Sequence, residues 1–280
     1  MLAARGAAGA EEGKDVTSSP PEPNSNMLVL SLFPGIGLLD RAFEEEGFCV
    51  VRGPDLLWGG DIKAFHPPGK FDGVIGGPPC QAFSTLARLN DSMRRNGKNI
   101  KLAENLIPEF ERCVSEARPE WFLMENVPDA PMPDIAGYRI CNRAIVDVWV
   151  GGVTSRHRRF SFGVAEGTNL YGLARFEIET LVLHSPNPLP AVTAASGGRS
   201  PRYHGERKMK RRYRGGEIYK RLSREEICLR QGLPEDFMKA SPLTVEGLQR
   251  MVGNGVPLAM GRAVAQAVKR ALADPVERVT

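Results

Sequence analysis

The stretch MLVLSLFPGIGLLDRAFEEEGF, residues 27–48, changes its hydrophobic period part-way along. Residues 27–33 form a short continuous apolar run, as a strand buried on both faces requires, and the run stops at Pro34 and Gly35. Beyond this turn, Leu38, Leu39, Ala42 and Phe43 recur at helical spacing. A strand feeding a glycine turn and then a helix is the opening unit of an open α/β sheet. Working outward, FCVV at 48–51, FDGVIGG at 71–77 and EWFLMENV at 120–127 read as further short buried strands, and NLIPEFERCVSEARP at 105–119 reads as an amphipathic helix. The alternation predicts a doubly wound, mostly parallel, Rossmann-like sheet, whose ligands bind beyond the carboxyl ends of its strands.

Composition bounds what this sheet can serve. A chain of 280 residues, 42% hydrophobic and 25% charged, can bury one substantial core. Residues 1–26 combine small, polar and proline residues without a hydrophobic period, the composition of a disordered tail. No apolar run reaches the roughly 18 residues of a membrane span, and no secretory signal layout is present, so an intracellular protein is expected. Cys49, Cys80, Cys113, Cys141 and Cys228 are odd in number and contain no CxxC pair, which indicates free thiols and no metal site. A net charge of +4 permits a polyanionic partner without requiring one.

Three elements fall at expected strand ends. FPGIG occupies 33–37, and Asp55 lies 18 residues beyond Gly37, near the roughly 20-residue interval at which an acid meets a ribose hydroxyl. A tight turn and a solvated acid explain the same residues. The loop lacks a full GxGxxG and no GxxxxGK[ST] occurs, so a nucleoside ligand fits more easily than a dinucleotide or ATP. In GGPPCQAFS, 76–84, Pro78 and Pro79 fix the backbone and hold Cys80 in position before a substrate arrives, which suits a nucleophile; a small buried hydrophobe is the alternative. Glu125, in MENV at 124–127, ends an apolar strand and reads either as a proton donor or acceptor or as half of a structural ion pair.

FPGIG, GPPCQ, ENV, TSRHRRFSFG and MVGNGVPLAMGRAVA, in that order from residue 33 to about 265, resemble the signature series of the cytosine-C5 DNA methyltransferases. The resemblance implies an S-adenosylmethionine-dependent enzyme. Cys80 would attack C6 of cytosine so that C5 can take a methyl group, and Glu125 would relieve charge at N3 and read the exocyclic amine. The family's QxRxRxxxxG falls on Thr154, Arg156, Arg158 and Gly163, with threonine in place of glutamine. Arg158 would face the base and the thiol, and Arg156 would support it. For the cofactor, the resemblance assigns Phe33, Gly35, Ile36 and Gly37 to the methionine side and Asp55 to the ribose. Leu56 and Ile62 would face the adenine, Asp61 its amino group, and Pro78, Leu106, Asn254 and Val256 would complete the pocket. Only LLWGG separates Asp55 from Asp61, where the family has a helix, and Trp58 is a candidate replacement for it.

The implied partner is double-stranded DNA, whose target base must leave the stack to reach a thiol at a strand end. Gln81, Ser84 and Arg88 match positions of the family's mobile loop, and the following residues carry Arg94, Arg95, Lys98 and Lys101. A second basic block at 199–221, which includes Arg211 and Arg212, suits a phosphate-tracking surface, a solvated charge run being the alternative. The expected organisation is a tail at 1–26, a catalytic and cofactor domain at 27–163, a small recognition insert at 164–221, a return to the catalytic domain at 222–270 and a tail at 271–280. So short an insert predicts a short or loosely specified target. A monomer in the cytoplasm of a bacterial or phage-infected cell, held to the nucleoid through DNA and serving restriction-modification, is the implied setting. An RNA methyltransferase of the same family and a catalytically silent DNA-binding relative are the rival readings.

Overall fold

The computed structural model describes residues 27–83, 104–167, 171–181, 188–192, 222–234, 237 and 244–273. Its strands are β1 (Leu28–Leu32), β2 (Cys49–Arg52), β3 (Gly73–Gly76), β4 (Trp121–Asn126), β5 (Tyr138–Val146) and β6 (His157–Ala165). They form one sheet in the order β2-β1-β3-β4-β6-β5. β1 pairs in parallel with β2 and β3, and β3 with β4, whereas β6 runs antiparallel to both β4 and β5. The helices are α1 (Leu38–Glu45), α2 (Ile107–Ala117), α3 (Tyr171–Arg175), α4 (Arg224–Gln231), α5 (Val245–Asn254) and α6 (Leu258–Leu272).

Alternating side chains send each strand to both faces of the sheet. Val29, Ile75, Trp121, Leu123, Phe160 and Phe162 pack on one face with Phe43 of α1 and Val264 and Val268 of α6. Leu30, Leu32, Val74, Phe122 and Met124 pack on the other with Ile107, Phe110 and Val114 of α2. Helices on both faces make the sheet doubly wound. The chain turns from β1 outward to β2 and then back to β3, so the strand order reverses between β1 and β3. Such a reversal opens a crevice at the carboxyl ends of the flanking strands.

Three expectations change. FCVV is a strand, but an edge strand whose Val51 is 42% exposed, since β1 covers only one of its sides. The hairpin of β5 and β6 was not anticipated; it makes the sheet mixed, and it carries the arginine element on β6. The stretch expected as an insert also begins inside the body: β6 runs to Ala165, Phe176 is buried and stacks on Phe162 at 4.7 Å, and Arg175 Nη1 donates to Ala273 O at 2.8 Å. Residues 1–26, 193–221 and 274–280, and with them the expected tails and most of the expected insert, lie outside the described residues.

Candidate active site

The turn after β1 is built from backbone that only special residues adopt easily. Gly35 and Gly37 have φ of 57° and 76°, and Phe33 also takes a positive φ of 56°. Asp55, in the loop after β2, fixes this turn: its Oδ2 accepts from Gly35 N at 2.9 Å and its Oδ1 from Leu57 N at 2.7 Å. Trp58 supplies a second tie, donating from its indole N–H to Gly35 O at 2.8 Å. The five residues between Asp55 and Asp61 thus make a single turn of 3-10 helix (Leu56–Trp58), with Trp58 folded toward the glycine turn in place of a longer helix. Asp61 caps a second such turn (Ile62–Ala64) by accepting from Lys63 N at 3.0 Å.

On the neighbouring strand, β3 delivers Gly77, Pro78 and Pro79 to Cys80, which opens another 3-10 turn. Asn126, at the end of β4, holds this segment by donating from Nδ2 to Pro78 O at 3.1 Å. Glu125 precedes it and is 7% exposed. A Cβ at Gly77 would come within 3.0 Å of Glu125 Oε2, so glycine there gives the carboxylate room. Arg158 Nε stands 2.7 Å from Glu125 Oε1, yet that oxygen is buried without an aligned hydrogen bond. The pair is therefore a charge contact that leaves a buried acceptor without a hydrogen bond.

Burial pushes the Cys80 thiol above its usual range; Arg158 pulls it back, Glu125 pushes it up again and Arg156 lowers it. Arg156 does not touch the thiol. It is 4% exposed, and its guanidinium donates to Val192 O at 2.9 Å and to Gly253 O at 3.0 Å. Burial, reinforced by Arg158, pushes it down to about 9, so it stays charged at neutral pH. Arg156 is therefore a clamp behind Arg158, joining the start of β6 to the end of α5. Thr154, where a glutamine was expected, is buried against Asp147: its backbone N and its Oγ1 donate to Asp147 Oδ2 at 3.0 and 2.6 Å. Arg159 clamps the loop after β4 by donating to Pro128, Ala130 and Pro131 carbonyls at 2.7 to 2.9 Å.

These parts surround an open cleft of about 1120 Å³ lined by the glycine turn, Asp55, Pro78, Cys80, Gln81, Glu125, Arg158, Asn254 and Val256. A second cleft of about 620 Å³ adjoins it through Phe33, Asp55 and Pro79, and is lined also by Leu56, Asp61, Ile62 and Leu106. Every residue expected at a cofactor lines one of the two clefts except Gly37, which supports the first as the residue preceding α1. Ser84, Arg88, Arg211 and Arg212, expected at DNA, lie outside the described residues.

A cysteine, a carboxylate and an arginine converging on one cleft near the strand-order reversal invite comparison with known proteins. The family of C-5 cytosine-specific DNA methylases matches residues 59–185. The chain is 25% identical to the type II methyltransferase M.FnuDI of Fusobacterium nucleatum, over 83% of this chain and 91% of that protein. Over these residues the chain is similar to the cytosine-C5 DNA methyltransferases. Similarity to M.NgoPII of Neisseria gonorrhoeae is 31% identity over 39% of this chain, and the match spans only 36% of that relative's length. Among solved structures, a protein described as a DNA modification methyltransferase from an E. coli prophage superimposes with a TM-score of 0.59 and 18% identity, covering 89% of this chain and all of the other. S. pombe Dnmt2 gives 0.54 with 14% identity, over 88% of this chain and 98% of its own. At these identities the structures establish a shared fold alone, a Rossmann-like sheet.

Sequence reading missed Asn126 and Arg159, which hold the Cys80 loop and the loop after β4, and Asp40, Arg250 and Met251, which line the larger cleft. Only Arg250 carried a readable signal, since it precedes Asn254 by one helical turn.

Proposed function

We propose that the protein is a DNA (cytosine-5-)-methyltransferase that uses S-adenosylmethionine. The observation that carries this reading is the convergence of Cys80, Glu125 and Arg158 on one cleft, in a chain whose residues 59–185 match the C-5 cytosine-specific DNA methylases. The cofactor fits the residues present: Asp55 is an acid held rigid at the junction of the two clefts, Phe33, Leu56 and Ile62 offer apolar faces for a purine, and no phosphate cradle is needed. Asp61 would meet the purine amino group. Bound there, the cofactor supplies an electrophilic methyl group.

The chain's own residues do the rest. Cys80 forms a bond from Sγ to C6 of a flipped-out cytosine, and the ring's electron pair becomes available at C5. Glu125, which lines the cleft, accepts from the exocyclic amine and handles the proton at N3, while Arg158 balances both the carboxylate and the thiolate. Loss of the C5 proton to a base or water then expels the thiolate and restores Cys80. Arg156 contributes by positioning Arg158. Double-stranded DNA is the proposed partner, with Gln81, Ser84 and Arg88 near the vacated base and Arg211 and Arg212 on phosphates. The target would be short, about two to four base pairs, since few residues remain for reading base edges. A monomer in the cytoplasm of a bacterial or phage-infected cell completes the reading; among the described residues no helix is long and apolar enough to cross a membrane.

Transfer of labelled methyl to duplex DNA, single-stranded DNA and transfer RNA tests it, with Cys80→Ala alongside. Label on duplex cytosine C5 that disappears with Cys80→Ala is expected. Label confined to RNA, or no label on any substrate, would overturn the assignment.

A further inference from the structure

Thr154 stands where the arginine element was expected to begin with glutamine, and the structure gives it a partner of its own. Thr154 and Asp147 are both 1% exposed. Asp147 opens a single 3-10 turn (Asp147–Val150) at the end of β5, and its Oδ2 accepts both donors of Thr154, the Oγ1 hydroxyl at 2.6 Å and the backbone N at 3.0 Å. A β-hydroxyl suits this contact, because its donor and the backbone N of the same residue reach one oxygen. The backbone of Asp147 takes part as well: its N donates to Arg156 O at 2.9 Å, and its O accepts from Gly152 N at 2.9 Å. A Cβ at Gly152 would collide with the Asp147 carboxylate, so glycine there keeps room for it. Residues 147–156 are thus folded around one carboxylate.

The place of this corner in the sheet gives it a task. β4 pairs with β6 as far as Arg159, opposite Asn126, so Arg158 lies one residue beyond that support. Its strand neighbour is Ile145 of β5, and ahead of His157 the ladder is continued by the bond from Asp147 to Arg156. Arg158 must nonetheless reach Glu125, whose Oε1 is 2.7 Å from its Nε. We infer that Asp147 is a positioning residue for Arg158: by holding Thr154 and the carbonyl of Arg156, it fixes the entry of β6 and with it the guanidinium beside Glu125 and Cys80. This rests on the reading of Cys80 and Arg158 above and adds the residue that aims the arginine.

The thiol itself reports the aim. Iodoacetamide labelling of Cys80 is followed across a pH series on the full chain and on Asp147→Ala, Asp147→Asn, Thr154→Val and Arg158→Ala. Direct loss of an anion favours a thiolate and would lower the labelling midpoint, whereas a displaced Arg158 raises it. Asp147→Ala is expected to raise it by roughly half a pH unit, part of the influence of an adjacent opposite charge. Thr154→Val, which changes no charge, should raise it too, whereas Asp147→Asn keeps the acceptor and should not. Cys113 and Cys228 are buried and stay unlabelled in a folded chain; if both react in Asp147→Ala, Thr154→Val alone decides the comparison. A lowered or unmoved midpoint in Thr154→Val or in a folded Asp147→Ala would overturn the inference. So would a rise in Asp147→Asn equal to that in Asp147→Ala. An unmoved midpoint in Arg158→Ala would overturn the reading of Arg158, and this inference with it.

Discussion

Cys80 is held between burial, which keeps its proton on, and the Arg158 guanidinium, which favours the thiolate. Removing the cation removes the favourable influence, so Arg158→Ala should move the pH midpoint of Cys80 alkylation upward. Iodoacetamide labelling across a pH series, read on the Cys80 peptide by mass spectrometry, checks this, and an unmoved midpoint would detach Arg158 from the thiol. Asp147 gives a second residue-level expectation. Burial raises its carboxyl above 3.8, although the Thr154 hydroxyl and backbone pull it down. The folded chain then holds that proton more tightly than the unfolded chain, so its stabilising contribution is full below 3.8 and is lost as pH rises through the folded value. Asp147→Asn keeps an acceptor for Thr154 and does not titrate. Its stability relative to the unaltered chain should therefore increase between about pH 4 and about pH 7 in urea titrations, and a flat difference would refute the linkage. That Cys80, Glu125, Arg158 and Asp55 gather around one cleft was foreshadowed by the motif series that contains them. Arg156 was legible as a residue but not as a clamp, because its carbonyl partners lie 36 and 97 residues away.

Strands β1, β3 and β4 and helices α1 and α2 were readable because each buries a continuous run or a clean helical stripe. β5 was not, because Arg139, Asn142 and Arg143 interrupt its apolar residues; its partner β6 decides where the arginines go. The pairing of β4 with β6 depends on glycine: Gly163 sits where the Phe122 ring leaves no space for a Cβ. Gly163→Ala should therefore destabilise by about 1–3 kcal/mol through overpacking, measured by denaturant unfolding with an unchanged slope. The clamp between β6 and α5 predicts a comparable loss. Arg156→Met leaves the carbonyls of Val192 and Gly253 without their donors, at a cost of roughly 2–4 kcal/mol. Transfer activity should fall further than the change in folded fraction explains, because Arg158 loses its support.

At the scale of the whole molecule, the two ends of the described chain meet. α6 lies along α1, with Ala42 close against Gly261 and Glu45 paired with Arg262 at 2.6 Å. Val264, Ala265, Ala267 and Val268 fill the core beneath the sheet. Deleting residues 245–273 should thus abolish cooperative thermal unfolding rather than merely lower the melting temperature, and a retained sharp transition would show that the first part of the chain folds alone. The Rossmann-like sheet was legible from its first strand, turn and helix, whereas the closure by α5 and α6 depends on contacts across more than two hundred residues, such as Glu45 with Arg262. That closure imposes an order on synthesis. The thiol, the carboxylate and the glycine turn all leave the ribosome before the helix bearing Arg250 and Asn254 exists. A nascent chain therefore carries an open half-cleft, and its chemistry stays latent until the last helices arrive to complete the opposite wall.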